Sequence, residues 1–291
     1  MRSSIMVSMN KLSNAKRAQI IRCLVEGNSI RSTVRMTGAS KNTIAKLLVD
    51  LGEVCAVYQD EHLRDLPSVR LQADEIWSFC YAKAKNVPEE KRDTFGYGDV
   101  WTWTALDADS KLMVSWLVGE RTLDDARSFI EDVAARLSYR PQISTDGFRP
   151  YITAIEDVFG TDVDFAQVIK TYGSGSPQDA NHTARRYSPQ ECTSIEIRPI
   201  TGNPDPAHVS TSHVERSNLT MRMGMRRFTR LTNAFSKKVD NLAAAVSLHF
   251  MFYNFARPHT SLRNPYPRTP AMAAGVADHI WTCEEIAALL D

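Results

Sequence analysis

Val69-Arg70-Leu71-Gln72-Ala73-Asp74-Glu75-Ile76-Trp77-Ser78-Phe79 is an apolar, strand-like run with two acids at its centre. Carboxylates avoid such surroundings unless they are paired or bind a cation. Strand side chains alternate between faces, so only one of Asp74 and Glu75 is expected to face a common site. Downstream, residues 100–107 and 112–118 read as two strands rich in Thr and Trp, joined by a hairpin that holds Asp107 and Asp109 as turn residues. A helix follows over 123–138, with Ala126, Phe129, Ile130, Val133, Ala134 and Leu137 on one face. Residues 141–146 then read as a short strand ending in Asp146, and 147–159 as another helix. Three strands in succession predict a meander, and the strand-helix-strand-helix run continues the sheet in parallel. The expected fold class is α/β, a mixed sheet flanked by helices. Trp77, Trp101, Trp103 and Trp116 are expected to pack the sheet.

Upstream of this core the charge changes. The 291 residues carry a net charge of +1, yet residues 1–50 hold nine Lys/Arg against two Asp/Glu. A basic front end suits a polyanion. Apolar spacing predicts a helix from Ser13 to Gly27 and a second from Ser29 to Met36. The break at Thr37-Gly38-Ala39 leads to a third helix that Ser40 caps. Helix, glycine turn and helix make a small all-α helix-turn-helix, whose third helix buries Ile44, Leu47 and Leu48. Its exposed side offers Lys41, Asn42, Thr43 and Lys46 to a DNA groove.

Composition narrows the function further. No apolar run reaches the roughly 20 residues of a membrane helix, and the N-terminus lacks a secretory apolar region, so a cytoplasmic, nucleoid-associated protein is expected. Five cysteines without a C-x-x-C pair fit reduced thiols rather than a zinc ribbon. A metal site would therefore use oxygen ligands.

Three acids stand out by position: Asp74, Asp146 and Glu215. Brought together, they would repel one another unless divalent cations neutralised them. Residues 216–238 contain Arg216, Arg222, Arg226, Arg227, Arg230, Lys237 and Lys238 and no acid. On a helix over 213–230, Glu215, Asn218, Arg222 and Arg226 share one face, so a carboxylate would head a track of phosphate-binding groups. His213 is as readily a helix-start residue as a phosphate contact. Residues 173–212, rich in Gly, Ser, Pro and Asn, read as a long loop with one possible strand at Thr193 to Ile197. Residues 239–255 read as a strongly apolar helix.

The motifs Asp74-Glu75-Ile76-Trp77-Ser78-Phe79, Asp146-Gly147-Phe148-Arg149-Pro150-Tyr151 and Val214-Glu215-Arg216-Ser217-Asn218-Leu219-Thr220-Met221-Arg222, followed by Ala234-Phe235-Ser236-Lys237-Lys238, closely resemble the DDE-class insertion-sequence transposases, particularly the insertion-sequence-one family. The closing Tyr253-Asn254-Phe255-Ala256-Arg257-Pro258-His259 also resembles integrase-type catalytic cores. The resemblance implies an RNase H-like fold with Asp74, Asp146 and Glu215 as a catalytic and metal-binding triad for two Mg²⁺ or Mn²⁺ ions. It further implies cleavage and joining of double-stranded DNA at element ends and target, by a homo-oligomer on DNA, with no nucleotide cofactor and no membrane. Compact members have a much shorter stretch before the Glu; here the insertion falls in 173–212. The expected division is a helix-turn-helix domain over 1–52, a linker over 53–69, the catalytic domain over 70–262 and a tail over 263–291. Competing readings are a structure-specific nuclease of the same fold and a DNA-binding regulator derived from an inactive transposase.

Overall fold

The computed structural model describes residues 11–172, 192–229 and 232–291. The chain divides into two compact units. One is assembled from Met1–His62, Phe79–Gly98 and Met221–Asp291, the other from Leu63–Ser78 and Asp99–Thr220.

The second unit carries a six-stranded sheet: β1 (Arg70–Cys80), β2 (Gly98–Asp107), β3 (Met113–Gly119), β4 (Gln142–Thr145), β5 (Asp164–Tyr172) and β6 (Cys192–Thr201). Their order is β3-β2-β1-β4-β5-β6. β2 runs antiparallel to β3, β4 lies parallel to both β1 and β5, and β6 returns antiparallel to β5. Ser78 Oγ donates to Val100 O, Thr104 Oγ1 to Asp74 O and the Ala108 amide to Arg70 O. Partner numbers rise on β2 as they fall on β1, so these two strands are antiparallel as well. The expected meander with a parallel continuation is therefore present, a mixed α/β sheet flanked by helices and preceded in the chain by a helical region.

Trp103 and Thr104 are neighbours on β2 and face opposite ways, which marks the two sides of the sheet. Trp103 is fully buried against Phe129 of α4 (Leu123–Ala134) and Tyr151 of α5 (Pro150–Phe159). Trp103 thus packs the sheet as expected. Thr104 shares the other side with Asn218 of α6 (Ser212–Gly224), 3.4 Å away. Asp107 takes hydrogen bonds from Ser68, Ser110 and the Asp109 amide, the turn role read for it.

The first unit is helical. α1 (Asn14–Val25) is capped by Ser13, and α2 (Ile30–Thr37) by Ser29. Gly38 closes α2 in the left-handed conformation, at φ 71°, where a side chain would be strained. Ser40 Oγ accepts from the Thr43 amide and starts α3, Lys41–His62. The residues expected to form a linker from 53 onward are helical as far as His62, because α3 buries Leu51, Cys55 and Gln59 along its length.

α3 lies along α7 (Val239–Met251), with Ser247 Oγ donating to Gly52 O at 2.8 Å and Gln59 Nε2 to Ser247 O at 3.3 Å. After the short α8 (Pro270–Ala273), the tail helix α9 (Cys283–Ala288) packs on α1, where Arg17 reaches Ala287 O and Asp291, and Arg22 pairs with Glu284. The units thus cut across the sequential order of domains expected, since segments far apart in the chain complete the helical unit. No helix among the described residues is long and apolar enough to cross a membrane.

Two local readings change. α6 ends at Gly224 rather than 230; Met225 is extended and Arg226–Phe228 form a 3-10 turn, so Arg226 leaves the helical face it was expected to share with Glu215. Glycine is a poor helix former, and Gly27 approaches it so closely that a Cβ on Gly27 would stand 2.7 Å from Gly224 O. Within the expected loop, β6 is longer than the strand read there, while residues 173–191 lie outside the described residues.

Candidate functional site

β1 and β4 lie in register with Ala73 beside Thr145, so Asp74 and Asp146 occupy the next step on adjacent parallel chains. Neighbouring strands are about 4.8 Å apart, which brings the two carboxylates together. Asp146 Oδ1 accepts from the Phe148 amide at 2.9 Å, which fixes the turn after β4. Two residues before Asp74 on the same face, Gln72 Oε1 accepts from the His213 and Val214 amides at 2.8 and 3.1 Å. These are first-turn donors of α6 that have no partner within the helix. One turn later Asn218 Nδ2 donates to Asp74 Oδ2 at 2.9 Å. Gln72 therefore seats the helix, and Asn218 orients the acid.

Glu75 faces the other side of the sheet. Its side chain is 1% exposed, it pairs with Arg121 Nη2 at 3.5 Å, and its Oε1 has no hydrogen-bond partner among the described residues. Arg121 is itself held over the rings of Phe148 and Trp101, at 3.9 and 4.8 Å. The Tyr151 hydroxyl is also buried without a partner among the described residues. Strand alternation is obeyed, yet one carboxylate oxygen from each of Asp74, Glu75 and Asp146 falls within 4.8 Å of the others at the end of β4. Glu75 thus comes closer to the other two than alternation alone predicts.

Glu215 stands in the first turn of α6 and is not one of that trio. Its carboxylate pairs with Lys170 of β5 and accepts from Thr211 Oγ1 at 2.6 Å. It is 43% exposed, so it remains open to solvent where Glu75 is sealed.

The electrostatics follow from this crowding. Burial first, and Asp146 second, push the Asp74 carboxyl up to about 6. Burial and then Asp146 push Glu75 up to about 8. A carboxyl held above its unfolded value takes up a proton on folding, so its contribution to stability is lost as pH rises through the window between the two values. For Asp74 that window runs from the ordinary 3.8 to about 6. Asp74→Asn, which can still accept from Asn218, is therefore expected to raise the melting midpoint of the metal-free protein at pH 8 by about 2–4 °C and to leave it unchanged at pH 4. Scanning calorimetry at both pH values, in chelator, measures this; equal midpoints at pH 8 would show that Asp74 carries no such penalty.

The other residues singled out from sequence belong to several elements. Lys41 and Asn42 are exposed at the start of α3, Thr43 bonds Ser40, and Lys46 pairs with Asp50 one turn on. Arg216 and Arg226 are exposed, Arg222 is half-buried, and Arg227 is withdrawn from solvent and donates to Ser236 at 2.6 Å. Lys237 sits over the Phe235 ring at 4.4 Å, and Lys238 is exposed at the start of α7. Arg230 lies outside the described residues.

No family model matches the chain, and no curated protein matches it. Two solved transposase structures resemble it. A piggyBac transposase synaptic complex with hairpin DNA is similar over 100% of this chain and 73% of its own, at 10% identity and a TM-score of 0.43. The Mos1 strand transfer complex is similar over 83% of this chain and 76% of its own, at 10% identity and a TM-score of 0.24. At these values the likeness carries no activity across.

Sequence reasoning passed over Gln72, Thr104, Arg121, Tyr151 and Lys170. Gln72 was within its reach, because it stands two residues from Asp74 on the same face of one strand. Lys170 was not, because its role depends on pairing β5 beside β4.

Proposed function

We propose that the chain is a DDE transposase, a divalent-metal-dependent enzyme that cleaves and joins DNA strands. The observation that carries this reading is the Asp74–Asp146 pair on adjacent parallel strands, with α6 pinned beside it through Gln72 and Asn218. The donor set fits hard cations: Asp74 and Asp146 bring carboxylate oxygens within 4.8 Å of each other, the oxygen ligands that such ions take. Asp74 and Asp146 are proposed to hold the ions, with Glu215 as the third ligand. Two Mg²⁺ or Mn²⁺ ions would supply Lewis acidity to the attacking and leaving oxygens of an in-line phosphoryl transfer.

The chain's own residues do the positioning. Asn218 keeps one Asp74 oxygen turned toward α6. Lys170 neutralises Glu215 while no cation is bound. Arg216, Arg222, Arg226, Arg227, Arg230, Lys237 and Lys238 are proposed to contact DNA phosphates, and Lys41, Asn42, Thr43 and Lys46 to read a groove as part of a helix-turn-helix. The reaction is hydrolysis of a phosphodiester at an element end to free a 3′-hydroxyl. That hydroxyl then attacks a target phosphorus and displaces the 3′-oxygen there. Joining two ends calls for at least two such sites, hence a homo-oligomer on DNA.

A labelled duplex carrying the DNA that flanks the gene, incubated with and without Mg²⁺ beside the Glu215→Gln protein, tests the reading. Mg²⁺-dependent nicking followed by joined products, both lost in the variant, is the expected result. Cleavage without joining would identify a nuclease, and binding without cleavage a regulator.

A further inference from the structure

Within the helical unit a cavity of about 540 Å³ opens between the first three helices and the stretches 224–227 and 233–249. That volume lies in the range of about 300–1,000 Å³ usual for small-ligand sites. Arg31, Lys41, Arg226, Arg227 and Lys237 line it, and no carboxylate is among its described lining residues. Four of these five were singled out from sequence as DNA-binding residues on separate segments, and the fold gathers them round one hollow. Its apolar wall is formed by Leu24, Ile30, Leu48 and Phe235.

A buried polar group also meets the cavity. His249 is 8% exposed and lines it, and its Nδ1 has no partner among the described residues. Burial lowers this imidazole to about 4, so at neutral pH the ring offers one donor and one acceptor rather than a charge.

Taken together, a cationic rim, an apolar wall and a neutral buried hydrogen-bonding ring suit a flat heteroaromatic group that carries an anion. A fatty acid or a bare phosphate would leave one half of this lining unused. We propose that the cavity binds an unstacked nucleotide, with the base against the apolar wall and His249 and the phosphate among the cationic side chains. That the nucleotide belongs to a bound DNA strand rests on the function proposed above; the base-and-phosphate chemistry does not.

Calorimetric titration of the full chain tests this with four probes: AMP, inorganic phosphate, and two duplexes identical except that one carries a single unpaired adenosine and the other an abasic residue at that point. AMP is expected to bind about tenfold or more tightly than phosphate, or the unpaired base about tenfold or more tightly than the abasic duplex, a difference of about 1.4 kcal/mol. Preference in the AMP arm alone assigns the site to free nucleotides, and preference in the duplex arm alone assigns it to DNA. The affinity for the preferred probe should fall about tenfold in Ala45→Phe, which fills the cavity, and in Arg226→Ala, an exposed change that leaves folding intact even if the first does not. No preference in either arm, or an affinity for the preferred probe that Arg226→Ala leaves unchanged, overturns the proposal. If neither duplex binds at all, the DNA reading fails separately, and the AMP arm still decides the cavity.

Discussion

Asp146→Asn lowers Mg²⁺-dependent strand cleavage by about a thousandfold, the loss expected when about 4 kcal/mol of transition-state stabilisation depends on one ligand. The amide is isosteric and still accepts from the Phe148 amide, so the turn after β4 survives. Binding to the same duplex in chelator should be unchanged. The informative comparison lies between the two glutamates. Glu75 is nearer to Asp74 and Asp146, but it is sealed from solvent and already faces Arg121. A catalytic cation must keep water and substrate phosphate in its shell, which a sealed carboxylate cannot permit. Glu215 is half-exposed and held by a lysine, a contact that exchange for a cation would release. Glu215→Gln is therefore expected to match Asp146→Asn, and Glu75→Gln to keep cleavage within about tenfold of the parent. The opposite ranking, read from initial rates of end nicking, would transfer the third ligand to Glu75.

Gly52→Val destabilises the helical unit by about 3 kcal/mol or more. A Cβ added at Gly52 would stand 2.3 Å from Ala244 Cα and 2.7 Å from Ala244 O, both in the α7 helix that α3 packs against. Backbone cannot swing aside as a side-chain tip can, so α3 and α7 must part. The Ser247 bond to Gly52 O, at 2.8 Å, is then at risk as well. Gly52→Ala isolates the contact, because in an open helix the change to alanine would stabilise by about 0.5–1 kcal/mol. A lower urea midpoint for Gly52→Ala at unchanged slope would establish the steric cause; a higher midpoint would refute it.

These two sites differ in how legible they were. The Asp74 strand, the hairpin after it and the Asp146 strand are short apolar runs that the fold buries on both faces, the helix with Phe129 carries one apolar stripe, and each formed close to where it was read. The Gly38 turn and the Ser40 cap are local chemistry and were equally readable. β6 was underestimated because its residues from Cys192 to Pro199 are exposed and leave no buried stripe. α6 ends at Gly224, a poor helix former, where Gly27, a residue nearly two hundred positions away, comes so close that it has no room for a side chain. Glu215 illustrates the limit best: its place in a motif was plain from sequence, but its Lys170 partner depended on sheet order.

The helical unit is stitched from both ends of the chain, and this sets a timetable for synthesis. α1 and α3 leave the ribosome first, yet α7 begins at Val239 and α9 at Cys283. At about 5–20 residues per second, the nascent chain waits some 10–45 s with the faces of α1 and α3 uncovered. A messenger that stalls or ends early would thus release α1 and α3 without the partners that hold them in shape. Only a polypeptide translated almost to Asp291 has the means to finish them.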